Sequence, residues 1–108
     1  MLSKTERHKI IIDGLTPMFS SMMEEIPPQK RRVLTALADI NGIAASKEVA
    51  AYARISVNTA SAVLGKLVKD GFLADLSSDP RLKRYDFSYK HEWLARWLRT
   101  RRLGKGVA

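Results

Sequence analysis

The sequence predicts a mainly α-helical domain that carries one small β-hairpin. Three observations carry that prediction. Apolar residues recur at helical spacing through residues 16–70. The pattern then switches to two short strand-like runs over 72–87, split by the turn residues Ser77-Ser78-Asp79-Pro80. Residues 89–102 return to helical spacing, with Trp93, Leu94, Trp97 and Leu98 on one side.

The elements follow in order. Ser3-Lys4-Thr5-Glu6 has the spacing of a capping box, predicting a short helix to about Asp13 that Gly14 ends. Thr16-Pro17 predicts a second start, with Thr16 as N-cap and Pro17 in the first turn. Met18, Phe19, Met22, Met23 and Ile26 form its apolar face, and Pro27-Pro28 ends it. The next helix is expected from Pro28 to about Asp39, with Val33, Leu34, Leu37 and Ile40 facing a core. Asn41-Gly42 breaks it, and Ile43-Ala44 predicts one extended rung. Ser46-Lys47-Glu48 is expected to cap a helix through Arg54, with Val49, Ala50 and Ala53 buried. After the turn Ile55-Ser56-Val57, a helix from about Asn58 to Asp70 buries Ala60, Val63, Leu64, Leu67 and Val68, and Gly71 stops it. Phe72–Leu76 and Leu82–Phe87 read as paired strands. A last helix is expected from about Tyr89 to Arg102, its other faces filled by Arg96, Arg99, Arg101 and Arg102.

Helix, helix, tight turn, helix, hairpin, helix is the order of a winged helix-turn-helix domain. Small Ala50 stands where two helices must cross closely, Ile55 plugs the turn, and Arg54 occupies a turn position where many such domains have Gly. The expected organisation is a helical arm over 1–26, the winged domain over 27–103 and a tail over 104–108.

Composition narrows the function. The 108 residues include 19 Lys and Arg, 11 Asp and Glu and no Cys, giving a net charge of +8. One domain of typical size fits that length, and a 45 % hydrophobic share suffices for a packed core. Without Cys there is no disulfide, no thiol nucleophile and no Cys-bearing zinc site. There is no secretory apolar region and no apolar run near the roughly 18 residues of a membrane span, so a soluble cytoplasmic domain without membrane contact is expected. Residues 1–28 hold 3 basic against 4 acidic residues, 29–80 hold 7 against 5, and 81–108 hold 9 against 2. Concentrated positive charge attracts polyanions through Coulomb steering and counterion release, although a solubilising surface carries the same signature.

Catalysis has little support. His8 and His91 lack ligand spacing and are expected to be solvated; Glu24 and Glu25 point about 100° apart on a helix. Gly65-Lys66 lacks the upstream Gly and following hydroxyl of a phosphate-binding loop. No enzyme activity and no cofactor are expected.

If the second helix of the motif buries Ala60, Val63, Leu64 and Leu67, then Val57, Asn58, Thr59, Ser61, Ala62, Gly65, Lys66 and Lys69 face out. Such a helix, about 57–70, typically enters the major groove through its amino-terminal part. Asn58 suits an adenine edge, and Ser56, Thr59, Ser61 and Lys66 suit bases or phosphates; the plainer reading is a Ser56 cap with solvent-facing neighbours. The wing, about 77–84, carries Arg81, Lys83 and Arg84, suited to phosphates or a minor groove, or to blocking edge pairing. Trp93 and Trp97 read as core, and the Arg residues beside them suit an acidic, lipid or protein partner.

Leu15-Thr16-Pro17, the run Pro28 to Ala38, Asn58-Thr59-Ala60-Ser61, Tyr85-Asp86-Phe87-Ser88 and Trp93-Leu94-Ala95-Arg96-Trp97-Leu98-Arg99 resemble the winged-helix domain that follows the nucleotide-binding core of archaeal-type STAND P-loop ATPases. Regulators of the multiple-antibiotic-resistance type share the outline more distantly. Tyr89-Lys90 departs from the Asp-Pro common in those ATPase tails. The resemblance implies DNA binding, or regulation through protein contact within a larger ATPase. The expected function is therefore a DNA-binding transcriptional regulator, with a regulatory domain of a STAND ATPase as the alternative. Expected partners are double-stranded DNA, a second copy through the first or last helix, and an ATPase domain or other protein.

Overall fold

A computed structural model describes residues 2–79 and 81–107, with side chains up to residue 100. Five α-helices and a two-stranded hairpin make up these residues: α1 (Lys4–Glu25), α2 (Pro28–Ile40), α3 (Ser46–Ala53), α4 (Val57–Lys69), β1 (Leu73–Asp75), β2 (Tyr85–Phe87) and α5 (Glu92–Val107). A 3-10 turn, Tyr89–His91, leads into α5. The order is that of a winged helix-turn-helix.

α2 is the central rod, packing against α3, α4 and α5. Its Val33, Leu34 and Leu37 meet Val49 and Ala53 of α3, Val63, Leu64 and Leu67 of α4, and Leu94 and Trp97 of α5 in one core. Removing this apolar area from water, at roughly 25 cal/mol per Å2, is the main force holding the rods together. Ala50 is buried with 4 % exposure, as a small residue at the close α3–α4 crossing should be. The turn after α3 rests on Arg54 in the left-handed region (φ 57), where the missing Gly would have been freer. Asn41 does the same after α2 at φ 58, a conformation that Asn tolerates better than most residues.

The first helix corrects the sequence reading. Instead of two helices broken at Gly14, α1 runs unbroken for 22 residues with Pro17 inside it. Ser3 does cap it, its Oγ accepting from the Glu6 amide at 3.1 Å. Thr16 caps nothing: its hydroxyl donates back to the Ile12 carbonyl (3.0 Å) and accepts from the Trp97 indole N–H (3.0 Å). Burial of Ile12 and Phe19 in the common core outweighs the local break signals. Met18, expected on the apolar face, is exposed.

Smaller differences have local causes. Ala45, not Ser46, stands at the N-cap of α3, and the Glu48 carboxylate accepts from the Ala45 amide at 3.2 Å. α4 begins at Val57 because Ser56 is its N-cap. The strands are shorter than expected, pairing Leu73 with Phe87, Ala74 with Asp86 and Asp75 with Tyr85. Beyond the last pair the Leu76 amide still donates to the Arg84 carbonyl at 2.8 Å, and the Asp75 carboxylate takes the Ser77 amide (3.0 Å) and hydroxyl as the chain turns. The expected rung at Ala44 forms as a bridge to Tyr85, with N···O distances of 2.9 and 2.8 Å.

Neither histidine is freely solvated. His8 meets the Trp93 ring edge-on at 5.6 Å between centroids. His91 packs against Phe72 with the rings tilted by 44° and 4.7 Å between centroids, and its Nδ1 shares a hydrogen bond with the Ser88 hydroxyl. Trp97 is core, as expected, and Trp93 is half-buried beneath the Arg96 guanidinium. The expected cations Arg101 and Arg102 lie outside the residues whose side chains are described.

Candidate nucleic-acid interface

The outer face of α4 follows from its buried one. With Ala60, Val63, Leu64 and Leu67 inside, the opposite stripe is Asn58, Ala62, Gly65 and Lys69, one residue per turn. Ser61 and Lys66 flank it, both exposed. Three of the four central or adjoining side chains near the helix middle are small, so a broad surface can approach the α4 backbone closely.

At the helix start, the Ser56 Oγ accepts from the Thr59 amide (3.1 Å) and lies 2.8 Å from the Thr59 hydroxyl, to which it donates. These two groups are engaged as an N-cap; Thr59 is half-buried. Asn58, between them, is exposed and makes no side-chain hydrogen bond among the described residues.

The wing is brought to α3 and α4 by the Ala44–Tyr85 bridge, which sets the chain entering α3 beside β2. A cleft of about 280 Å3 results, lined by Ser46 and Lys47 of α3, Ser61 of α4 and Arg81, Leu82, Lys83 and Arg84 of the wing. Four of the expected contact residues thus converge: Ser61, Arg81, Lys83 and Arg84. Ser56, Asn58, Thr59 and Lys66 lie elsewhere along α4 and do not line this cleft. Ser46 and Lys47 were missed in the sequence, where Lys47 is one cation near a helix start. Its position beside the wing depends on a bridge between residues far apart in the chain.

Each wing cation faces a carboxylate. Arg81 lies 3.7 Å from Asp79, Lys83 3.3 Å from Asp75, and Arg84 3.6 Å from Glu48. Hydrogen bonds from the Ser77 hydroxyl and amide, with help from Lys83, hold the Asp75 carboxyl below its ordinary range. Lys47, Lys66 and Lys69 make no ion pair among the described residues. Cation density is therefore high, but the wing's share is locally neutralised.

A larger open cleft of about 960 Å3 lies between α1, α2, the end of α3 and α5, and brings together none of the expected DNA-contacting residues. Among the described residues, no cluster of three His, Cys, Asp or Glu could hold a metal, and no helix is long and apolar enough to cross a membrane.

No family model and no curated protein sequence matches the chain. Solved structures do. The ST1889 protein of Sulfolobus tokodaii is 18% identical with a TM-score of 0.56, over 90% of this chain and 98% of that one. The adhesin competence repressor of Streptococcus pyogenes is 14% identical with a TM-score of 0.60, over 97% and 77%. A MarR family transcriptional regulator from Silicibacter pomeroyi is 20% identical with a TM-score of 0.52, over 96% and 69%. Likeness at such identity shows the fold, which these three proteins share with this chain. The expected similarity to STAND ATPase domains is not shown by these neighbours.

Proposed function

We propose that this chain is a winged-helix DNA-binding module that acts as a transcriptional regulator. The observation that carries this reading is the exposed, small-residue face of α4 beside a cleft where Ser61 meets Lys47, Arg81, Lys83 and Arg84. In this reading α4 lies in the major groove, with Asn58 and Ser61 towards base edges, while Lys47 and the wing cations meet phosphates on one flank. Lys66 serves the backbone on the other flank. Ser56 and Thr59 act chiefly by fixing the α4 N-terminus, whose amides and dipole favour a phosphate nearby. No Arg stands on the outer face of α4, so the strongest guanine-reading side chain is absent and sequence preference is modest. A repressor and a transcriptional regulator among the structural neighbours support the reading.

Fluorescence anisotropy with labelled duplexes tests it. Binding is expected at low salt, falling by about 0.9 log units per log unit of salt for each phosphate neutralised. Arg81→Ala with Lys83→Ala should weaken all duplexes alike, whereas Asn58→Ala should alter the ranking of sequences. Absence of duplex binding at low salt would overturn the proposal and favour regulation by protein contact.

A further inference from the structure

We infer that Leu82 of the wing is a sugar-contacting residue, which together with Lys47 of α3 forms a subsite for one deoxyribose–phosphate unit of a DNA strand. The inference rests on the duplex-binding reading above and says which atoms of the duplex fill the cleft between α3, α4 and the wing. Leu82 is the large apolar side chain lining that cleft. It is 61 % exposed and, among the described residues, belongs neither to the core nor to the hydrophobics packed on it. Its chain neighbours Arg81 and Lys83 are at least half exposed. Folding therefore gains little from an aliphatic group at this position. In water it carries a hydration cost that an apolar contact would remove. The tip that presents it is held in place: the Leu82 amide donates to the Asp79 carbonyl and the Arg81 amide to the Asp79 carboxylate, each at 2.9 Å.

The cations of the cleft decide where the phosphate goes. Arg81, Lys83 and Arg84 each face a carboxylate, whereas Lys47, exposed at the start of α3, makes no ion pair among the described residues. A phosphate therefore meets Lys47 without first displacing an acid, and the Ser46 hydroxyl in the same cleft adds a donor. Lys47 and Leu82 stand on two walls of one cleft, the first on α3 and the second on the wing. A nucleic-acid strand alternates a charged phosphate with a sugar whose surface is largely carbon and hydrogen. A cation on one wall and an aliphatic side chain on the other match one such repeat. Free phosphate would leave Leu82 in water, and an apolar molecule would leave Lys47 without a partner. The aliphatic wall also selects the sugar. Deoxyribose presents carbon where ribose presents a 2'-hydroxyl, and a hydroxyl pressed against Leu82 loses water without gaining a partner there. The subsite thus favours DNA over RNA.

Anisotropy titrations of the whole chain with labelled DNA and RNA duplexes of the same sequence test this. Leu82→Ser should weaken every DNA duplex alike, by about fivefold, with the salt slope unchanged because no charge is lost. Leu82→Met, apolar and of similar volume, should bind as the wild type does. Lys47→Met should lower the salt slope by about 0.9, the share of one phosphate. The wild type should prefer DNA to RNA by a larger factor than Leu82→Ser does. Melting temperature should persist in both Leu82 variants, since the side chain is exposed. Wild-type duplex binding that Leu82→Ser leaves intact would overturn the inference and spare the reading beneath it. So would an unchanged preference for DNA over RNA, or a Leu82→Ser effect confined to particular sequences, which would make Leu82 a reader of bases. Absence of wild-type duplex binding would remove both.

Discussion

His91 shows how one side chain couples burial to pH. Burial beside Phe72 pushes its ring below the usual 6.5, Lys90 adding to the effect, while a hydrogen bond to the Gly71 backbone opposes it. The native state therefore favours the neutral ring. Above the ordinary value the contribution to stability is fully present. As pH falls through it, the unfolded chain takes up the proton first, and stability declines until the lower native value is passed. Urea unfolding between about pH 7 and 5 should show this loss in the wild type, at no more than about 1.4 kcal/mol per pH unit from this group. The slope should flatten in His91→Gln. An unchanged slope would show that the ring does not sense burial.

At the scale of the element, α1 holds its shape against its own sequence. Pro17 provides no amide for the carbonyl four residues earlier, and an interior proline costs a helix about 3 kcal/mol in a neutral setting. Contacts with α5 offset that cost: the Thr16–Trp97 hydrogen bond and the Phe19–Trp97 ring contact at 5.5 Å. Because Pro17 is exposed, Pro17→Ala should restore a backbone bond without disturbing the core. Thermal unfolding should show a gain of about 1–3 kcal/mol. A loss would mean that the proline fixes a bend on which α1–α5 packing depends.

For the whole molecule, the ion pairs made by the wing cations set the terms on which the proposed interface meets a phosphate. Binding must exchange the Glu48–Arg84 contact for a new one. Both side chains are about half exposed, and such pairs contribute at most about 1 kcal/mol. Glu48→Gln should therefore tighten duplex binding roughly two- to fivefold at low salt, while keeping an acceptor for the Ala45 amide. Anisotropy titrations measure this directly. Unchanged or weaker binding would place Arg84 outside the contact surface. Lys30–Asp70, at 2.8 Å, joins the start of α2 to the end of α4 and steadies the frame behind that surface.

From Pro28 onward the sequence by itself determined the element order, the buried stripe of α4 and the hairpin, because side-chain periodicity and turn chemistry are local properties of the chain. Ala50, Ile55 and Ser56 already marked the close crossing, the turn and the cap. Only the tertiary structure decided that α1 is a single helix, since that depends on Trp97, some eighty residues away, covering Phe19 and Thr16. It also decided that Lys47 joins Ser61 and the wing, through a bridge between Ala44 and Tyr85. Whether a cation is paired is likewise a matter of distance across the fold: composition counted Arg81, Lys83 and Arg84 as free charge, and packing set a carboxylate beside each.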